Sequence, residues 1–343
     1  MASSSVYVRA DTDRTTVVSP EIRAAAAVGE RVTVEASEVV DAWTGASIDV
    51  ITAATGTIRE RRFETNAQVG YRGDLWAFAL GLRHSFENDY GSLGGSLRLA
   101  ADVFQRNTTL ALVGFGSTDA VGRAGDPGFR RGVVQLGGRV SVTQVLTRST
   151  LAELQWESVR LEGYQASPYR FVGVGGDGVC GGRAVFCLPE HVPDGRLRNA
   201  PSIRLRQALS TRASLGCDYR FYFDSWGLQS HTIEPDLAWL MGRSGTLSVS
   251  FRHHTQGRAD FYRARYLGLD GSEGFFTRDR KLSTFSYHGV GLSYVHDLRL
   301  RDEGTVLQLG ARAAFTRFHY LEFLGLERVS VLETTAYVAL RFE

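Results

Sequence analysis

Apolar and polar side chains alternate from one end of this chain to the other, with no long apolar run anywhere, and this pattern limits the folds open to it. The clearest instance is the final segment, Val329 to Phe342. There Thr334, Ala336, Val338, Leu340 and Phe342 fall on one face, and Glu333, Thr335, Tyr337, Ala339 and Arg341 on the other. That period of two is the one a strand imposes. The same division recurs upstream. Trp76, Phe78, Leu80 and Leu82 oppose Ala77, Ala79, Gly81 and Arg83; Ala152, Leu154 and Trp156 oppose Glu153, Gln155 and Glu157. Ile203, Leu205 and Leu209 oppose Arg204, Arg206 and Ala208; Leu215, Cys217, Tyr219, Phe221 and Phe223 oppose Asp218, Arg220 and Tyr222. Leu247, Val249 and Phe251 oppose Ser248, Ser250, Arg252 and His254; Leu307, Leu309, Ala311 and Ala313 oppose Gln308, Gly310 and Arg312. The charges sit in mid-strand, so a sheet of such strands needs water on one side and an apolar cover on the other.

Composition is consistent with lipid as that cover. A mean hydropathy of -0.14 and the absence of any run of about 18 apolar residues exclude a helical membrane protein. They do not exclude a barrel, whose strands average to neutral. Glycine is abundant at 38 and proline scarce at 7, which suits many strands joined by tight turns. Aromatic residues at 11% suit girdles at two membrane interfaces. Charge is nearly balanced, 39 basic residues against 37 acidic, and gives no case for nucleic acid as a partner. Lys281 is the only lysine; every other basic residue counted is arginine. Two readings of that bias stand: a GC-rich genome, or a need for planar pairing with carboxylates inside a lumen.

Turn lengths alternate as well. Short turns are read at 28–30, 72–74, 105–107, 147–149, 210–212, 242–245 and 302–304. The other connections run over 44–59, 117–131, 165–199 and 257–284, with tighter ones near 11–13, 87–92, 224–229 and 321–326. Seven short and eight outer links join sixteen strands, with fourteen the lower bound. The expectation is an all-β fold: one antiparallel transmembrane β-barrel domain over residues 1–343, of about 16 strands. It has short periplasmic turns and longer extracellular loops, notably 165–199 and 257–284. Closure solves the edge problem that so many strands create. The last strand is expected to pair with the one around Ser4, Val6 and Val8. No globular plug region is visible near the start. Met1 to Ser4 lead straight into Val6–Tyr7–Val8, so a mature form without its export signal is expected.

Bacterial outer-membrane barrels are similar in ending on a strand that closes with Phe or Trp; here Glu343 follows Phe342. A more specific likeness lies in the second half. Residues 221–232 read Phe-Tyr-Phe-Asp-Ser-Trp-Gly-Leu-Gln-Ser-His-Thr, followed by Ser-Phe-Arg-His-His-Thr-Gln at 250–256 and Ala-Asp-Phe-Tyr at 259–262. Together with Glu87-Asn88-Asp89-Tyr90 and Val-Asp-Ala-Trp-Thr-Gly-Ala-Ser at 40–47, the chain resembles a family of uncharacterised Gram-negative outer-membrane β-barrel proteins, known only as a domain of unknown function. The resemblance implies a barrel in the bacterial outer membrane, no established substrate, and a small lipoprotein or envelope complex as a partner beside the membrane lipids.

The candidate site is the lumen lining. Glu153, Glu157, Arg204, Arg206, Asp218, Arg220, Glu234, Asp236, Arg252, Arg312, Glu333 and Arg341 fall on polar faces, as do Glu21, Arg23, Glu35, Glu64, Arg98, Asp102 and Arg139. They either line a water-filled pore and set its selectivity or pair across strands and fill the interior. His231, Glu234, His253, His254 and His288 come from neighbouring strands. Alternation sends His253 and His254 to opposite faces, so solvated histidines are expected and no metal site or cofactor. Cys180 and Cys187 bracket six residues in the longest loop and are expected to form a disulfide in an oxidising compartment. Cys217 is placed on the lipid face. Asp224, Ser225, His231 and Asp260 supply the residue types of a rim hydrolase, but no spacing forces them together. Porin-like passage or binding of small solutes is the first reading. A non-conducting structural barrel that anchors a lipoprotein or envelope complex is the second, and a hydrolase the third.

Overall fold

The computed structural model describes residues 1–45, 58–268, 274–300 and 304–342. In chain order its strands are β1 (Ala2–Asp11), β2 (Thr15–Val28), β3 (Val32–Gly45), β4 (Ile58–Arg72), β5 (Trp76–Phe86), β6 (Tyr90–Val103), β7 (Thr108–Val121), β8 (Arg131–Thr147) and β9 (Thr150–Gly163). Then come β10 (Phe171–Val174), β11 (Phe186–Pro189), β12 (Gly195–Ala208), β13 (Ala213–Asp224), β14 (Gln229–Met241), β15 (Gly245–Gln256), β16 (Phe285–Arg299), β17 (Thr305–Tyr320) and β18 (Arg328–Phe342). All but β10 and β11 form one closed antiparallel barrel, so the expected count of sixteen is borne out. The seam joins β1 to β18, with Ala2 opposite Leu340, Val6 opposite Ala336 and Asp11 opposite Val331.

Pairing register explains why the alternation survives along the whole chain: a one-residue slip would turn every charged side chain toward lipid. Ile22, Leu82, Leu136 and Leu154 point outward and are 67%, 68%, 67% and 59% exposed. Aromatic rings bracket this apolar band. Tyr71, Trp76 and Phe78 stack at the short-turn end of β4–β5, and Phe63 stacks on Phe86 at the other end. Eight residues separate Phe63 from Tyr71, about 27 Å of strand and about 20 Å of depth at a ~40° tilt. That depth is close to the height of an outer-membrane apolar band. On the inner face, glycines let rings lie against the wall. A Cβ on Gly310 would sit 2.0 Å from Cε1 of Tyr337, and one on Gly137 would sit 2.4 Å from the Phe115 ring.

Three connections end earlier than the sequence reading expects; the one near 87–92 stops at 89, where β6 follows. The connection expected at 117–131 shrinks to 122–130, and the one expected at 165–199 ends at 194, because β12 begins at Gly195. Pro201 is the cause. It faces outward within β12, opposite Trp156, where it removes a ladder donor and makes the segment look like the end of a loop. The connection at 44–59 and the turn at 302–304 lie largely outside the described residues.

The long outer connections are not loose. β10 pairs with β11 in a small hairpin, and Cys180 of its loop is disulfide-bonded to Cys187 of β11, Cα atoms 5.8 Å apart. The 257–284 connection folds against this hairpin: Val174 bridges Tyr266, and His191 exchanges backbone bonds with Phe276 at 3.1 and 2.7 Å. Val172, Val174, Tyr262, Tyr266 and Thr277 are buried here, each 0–2% exposed. Tyr262 is at the centre of one apolar cluster with Val192, Trp226, Leu228, Ala259 and Leu282. In a barrel whose apolar face is spent on lipid, this cap over the outer mouth is a conventional dry core.

Candidate functional site

Five hairpin turns hold the cap in place. Arg280 pairs with Asp13 of the β1–β2 turn at 2.5 Å. The Tyr169 hydroxyl donates to Asp89 of the β5–β6 turn and accepts from the Ala124 amide of the β7–β8 connection at 2.6 Å. The Asp260 amide donates to the Trp226 carbonyl of the β13–β14 turn at 2.9 Å. The Tyr262 hydroxyl donates to the Glu322 carbonyl of the β17–β18 turn at 3.1 Å, where Arg258 also pairs with the Glu322 carboxylate at 3.2 Å. Inside the cap, Arg170 joins Glu190 and Asp279 at 3.3 and 2.9 Å. Burial holds the Glu190 carboxyl above its ordinary value, although Arg170, the Thr277 hydroxyl and the Ser167 amide pull the other way. Burial likewise pushes the Tyr169 hydroxyl up to about 12.

Below the cap, the sequence-derived lumen residues form wall-hugging ion pairs. Glu153, Arg204, Asp218, Arg206 and Asp236 make one chain across β9, β12, β13 and β14, with successive separations of 3.3, 3.0, 2.6 and 3.6 Å. Glu157 takes Arg139 at 2.5 Å and Arg220 at 3.8 Å. Arg252 reaches Glu234 at 3.3 Å. Glu333 accepts from the Tyr7 hydroxyl at 2.5 Å across the barrel seam, and Arg341 donates to Gln308 at 3.1 Å. Among the described residues, Arg312 makes no ion pair. These arginines are solvated: Arg204, Arg220 and Arg252 keep 51%, 52% and 49% of their side-chain surface exposed. Exposed pairs of this sort contribute about 0–1 kcal/mol each, so their presence is not explained by stability alone.

The histidines do not converge. His253 stacks on His288 at 4.5 Å on the outward face, while His254 turns inward onto Tyr287 at 4.7 Å. Among the described residues no three metal-binding side chains come together. The hydrolase candidates separate too. Asp224 is fully buried and accepts from Arg196 at 2.5 Å, from the Tyr222 hydroxyl at 2.7 Å, and from the Trp226 and Leu228 amides at 2.9 and 3.1 Å. Ser225 accepts from the Leu197 amide at 3.0 Å, and His231 meets the Tyr219 hydroxyl at 2.8 Å on the outer surface. No base stands beside a nucleophile in that set.

Sequence reasoning passed over the residues that join lumen to cap. Arg196 and Arg198 face inward from the first residues of β12, beneath the roof formed by Glu190, Val192, Asp279 and Leu282. Roof and wall border an open cavity of about 450 Å³, which Val133, Leu161 and Trp226 also line. The available signal was the continuation of alternation, Arg196-Leu197-Arg198, ahead of Pro201.

A family model described as "Protein of unknown function (DUF3570)" matches residues 130–313, from the edge of β8 into β17, and bears out the resemblance read from the sequence. No curated protein matches the chain. Among solved structures it is similar to a "Bacterial polysaccharide outer membrane secretin", with TM-score 0.56 and 10% identity over 100% of this chain and 99% of that one. It is also similar to the "CymD monoaromatic hydrocarbon channel", with TM-score 0.46 and 9% identity over 100% and 88% of the two chains. A Pseudomonas aeruginosa FadL homologue gives TM-score 0.44 and 8% identity over 99% and 88%. At such identities the likeness is one of fold.

Proposed function

Since the chain belongs to the family described as "Protein of unknown function (DUF3570)" and forms a barrel of the bacterial outer membrane, we propose that it passes or binds small solutes through a polar lumen that its own loops partly close. The whole of 1–343 acts as one domain in this reading, with the cap as an outgrowth of the barrel. The observation that carries it is the half-exposed state of Arg204, Arg220 and Arg252. Side chains that filled the interior would lose that water. Arginines and carboxylates in near-equal number then line a wet path with weak overall ion preference, set locally by the Glu153–Arg204–Asp218–Arg206–Asp236 chain. The process is passive and needs no cofactor or catalysis.

The five-point tethering of the cap favours a second reading, a non-conducting barrel that anchors a small lipoprotein or envelope complex. Planar-bilayer recording separates the two. Stable conductance steps whose ion preference changes in Arg204→Glu support passage. A silent bilayer, with a lipoprotein recovered from native membranes, sinks passage in favour of the anchor.

A further inference from the structure

We propose that the cavity between cap and lumen wall is a binding site for a small organic acid with an apolar body, its carboxylate held by Arg198; this rests on the solute-passage reading and names the solute class. The argument starts from an unequal pairing. Arg196 and Arg198 both point inward from β12, and Asp224 lies in register opposite Arg198. Its carboxylate is already saturated. One oxygen takes the Trp226 and Leu228 amides, and the other takes two guanidinium nitrogens of Arg196 and the Tyr222 hydroxyl. Arg196 is further fixed by stacking on Trp226, its guanidinium carbon 4.1 Å from the ring centroid. One carboxylate therefore serves one of two neighbouring guanidiniums.

Arg198 is the one left over. Among the described residues no carboxylate reaches it, and its Nε is buried without a hydrogen-bond partner. A half-buried guanidinium whose Nε has no partner is costly, and a carboxylate matches the fork of donors with two parallel bonds. The acids elsewhere on the cavity are committed. Asp119 accepts from the Tyr90 and Ser92 hydroxyls, and Glu190 and Asp279 share Arg170.

The rest of the cavity sets the body of the ligand. Val133, Leu161, Val192, Trp226 and Leu282 present apolar surface to it. An inorganic anion would leave that surface against water, whereas a ring or short alkyl chain would cover it. The volume of about 450 Å³ falls in the ~300–1,000 Å³ span of small-molecule sites. The Trp226 indole donates to the Gly195 carbonyl at 3.0 Å, so that wall is fixed before any ligand arrives.

The test is calorimetric titration of the full, detergent-purified chain with benzoate and with its neutral analogue benzamide, alongside swelling of protein-loaded liposomes in benzoate and in an uncharged sugar. Benzoate is expected to bind at least about tenfold more tightly than benzamide, the margin of one charge-assisted pair. Arg198→Gln should bring the two within about twofold, and Arg198→Lys should restore part of the difference. Equal binding of the two probes to the unaltered protein, no saturable binding of benzoate, or a preference that survives Arg198→Gln overturns the site. Sugar flux without benzoate binding removes this inference and leaves solute passage standing. Benzoate binding without flux of either solute removes passage and leaves the site.

Discussion

Truncating Tyr262 is expected to open the outer mouth without disturbing the barrel. Its side chain is fully buried among Trp226, Leu228, Ala259 and Leu282, and its hydroxyl donates to the Glu322 carbonyl at 3.1 Å. Burial raises the pKa of that hydroxyl, so it stays protonated and remains a donor at working pH. Removing a buried aromatic ring costs about 3–5 kcal/mol. At about 1.4 kcal/mol per decade, Tyr262→Ala should shift the ratio of open to closed cap by about two to three and a half decades. Tyr262→Phe keeps the ring and loses one neutral hydrogen bond, about 1 kcal/mol, and should shift it by less than one decade. Amide exchange at His191 and Phe276, whose backbone bonds join the two cap segments, reads the ratio directly. Bilayer conductance reads its consequence, and heat-modifiable migration on a gel checks the barrel. The reasoning is refuted if Tyr262→Ala, with the barrel intact, exchanges these amides at the unaltered rate, or if the Ala and Phe variants behave alike.

Arg204→Glu should cost the barrel no more than about 2 kcal/mol, because the two pairs it breaks involve a half-exposed arginine and contribute about 0–1 kcal/mol each; the reversal potential in a salt gradient should move toward cations, and an unchanged potential would place Arg204 off the conducting path. Glu190 gives a pH dependence. Its folded value lies above the ordinary one because of burial, so the stability it confers on the cap is full below the ordinary carboxyl range, about 4.3, and is lost as pH rises through the raised value. Exchange protection of the cap should fall across that window and flatten in Glu190→Gln; protection that rises instead contradicts the assignment. Reducing the Cys180–Cys187 bond, which closes a short loop with a separation of 7 residues, should release about 2.5 kcal/mol of constraint. Protease cutting within 178–186 should accelerate while the barrel stays resistant, and equal cutting rates would argue that the hairpin holds itself.

The barrel was legible because alternation is a local property. Each strand carries its own inside and outside, so Leu154 and Glu153 could be assigned to opposite faces without knowing their neighbours. The seam between β1 and β18 followed from the count of turns. The cap was not legible, because its core draws on Val172, Trp226, Tyr262 and Leu282 from three separate connections with no common period. The same limit hid the role of Asp224. In sequence it is an acid beside Ser225 and near His231; in the fold it faces away from His231 and is wholly used by Arg196 and its own turn. Pro201 concealed the start of β12, and with it Arg196 and Arg198.

The scarcity of lysine makes the cap chemically addressable at one post. Lys281 is exposed beside the cavity in the cap, and no other lysine occurs in the sequence. A reagent that acylates amines therefore has one side-chain target, on the cell-surface side. A dye attached there would ride on the cap, and its quenching by a solute that cannot cross the membrane would follow the movement of the cap in real time.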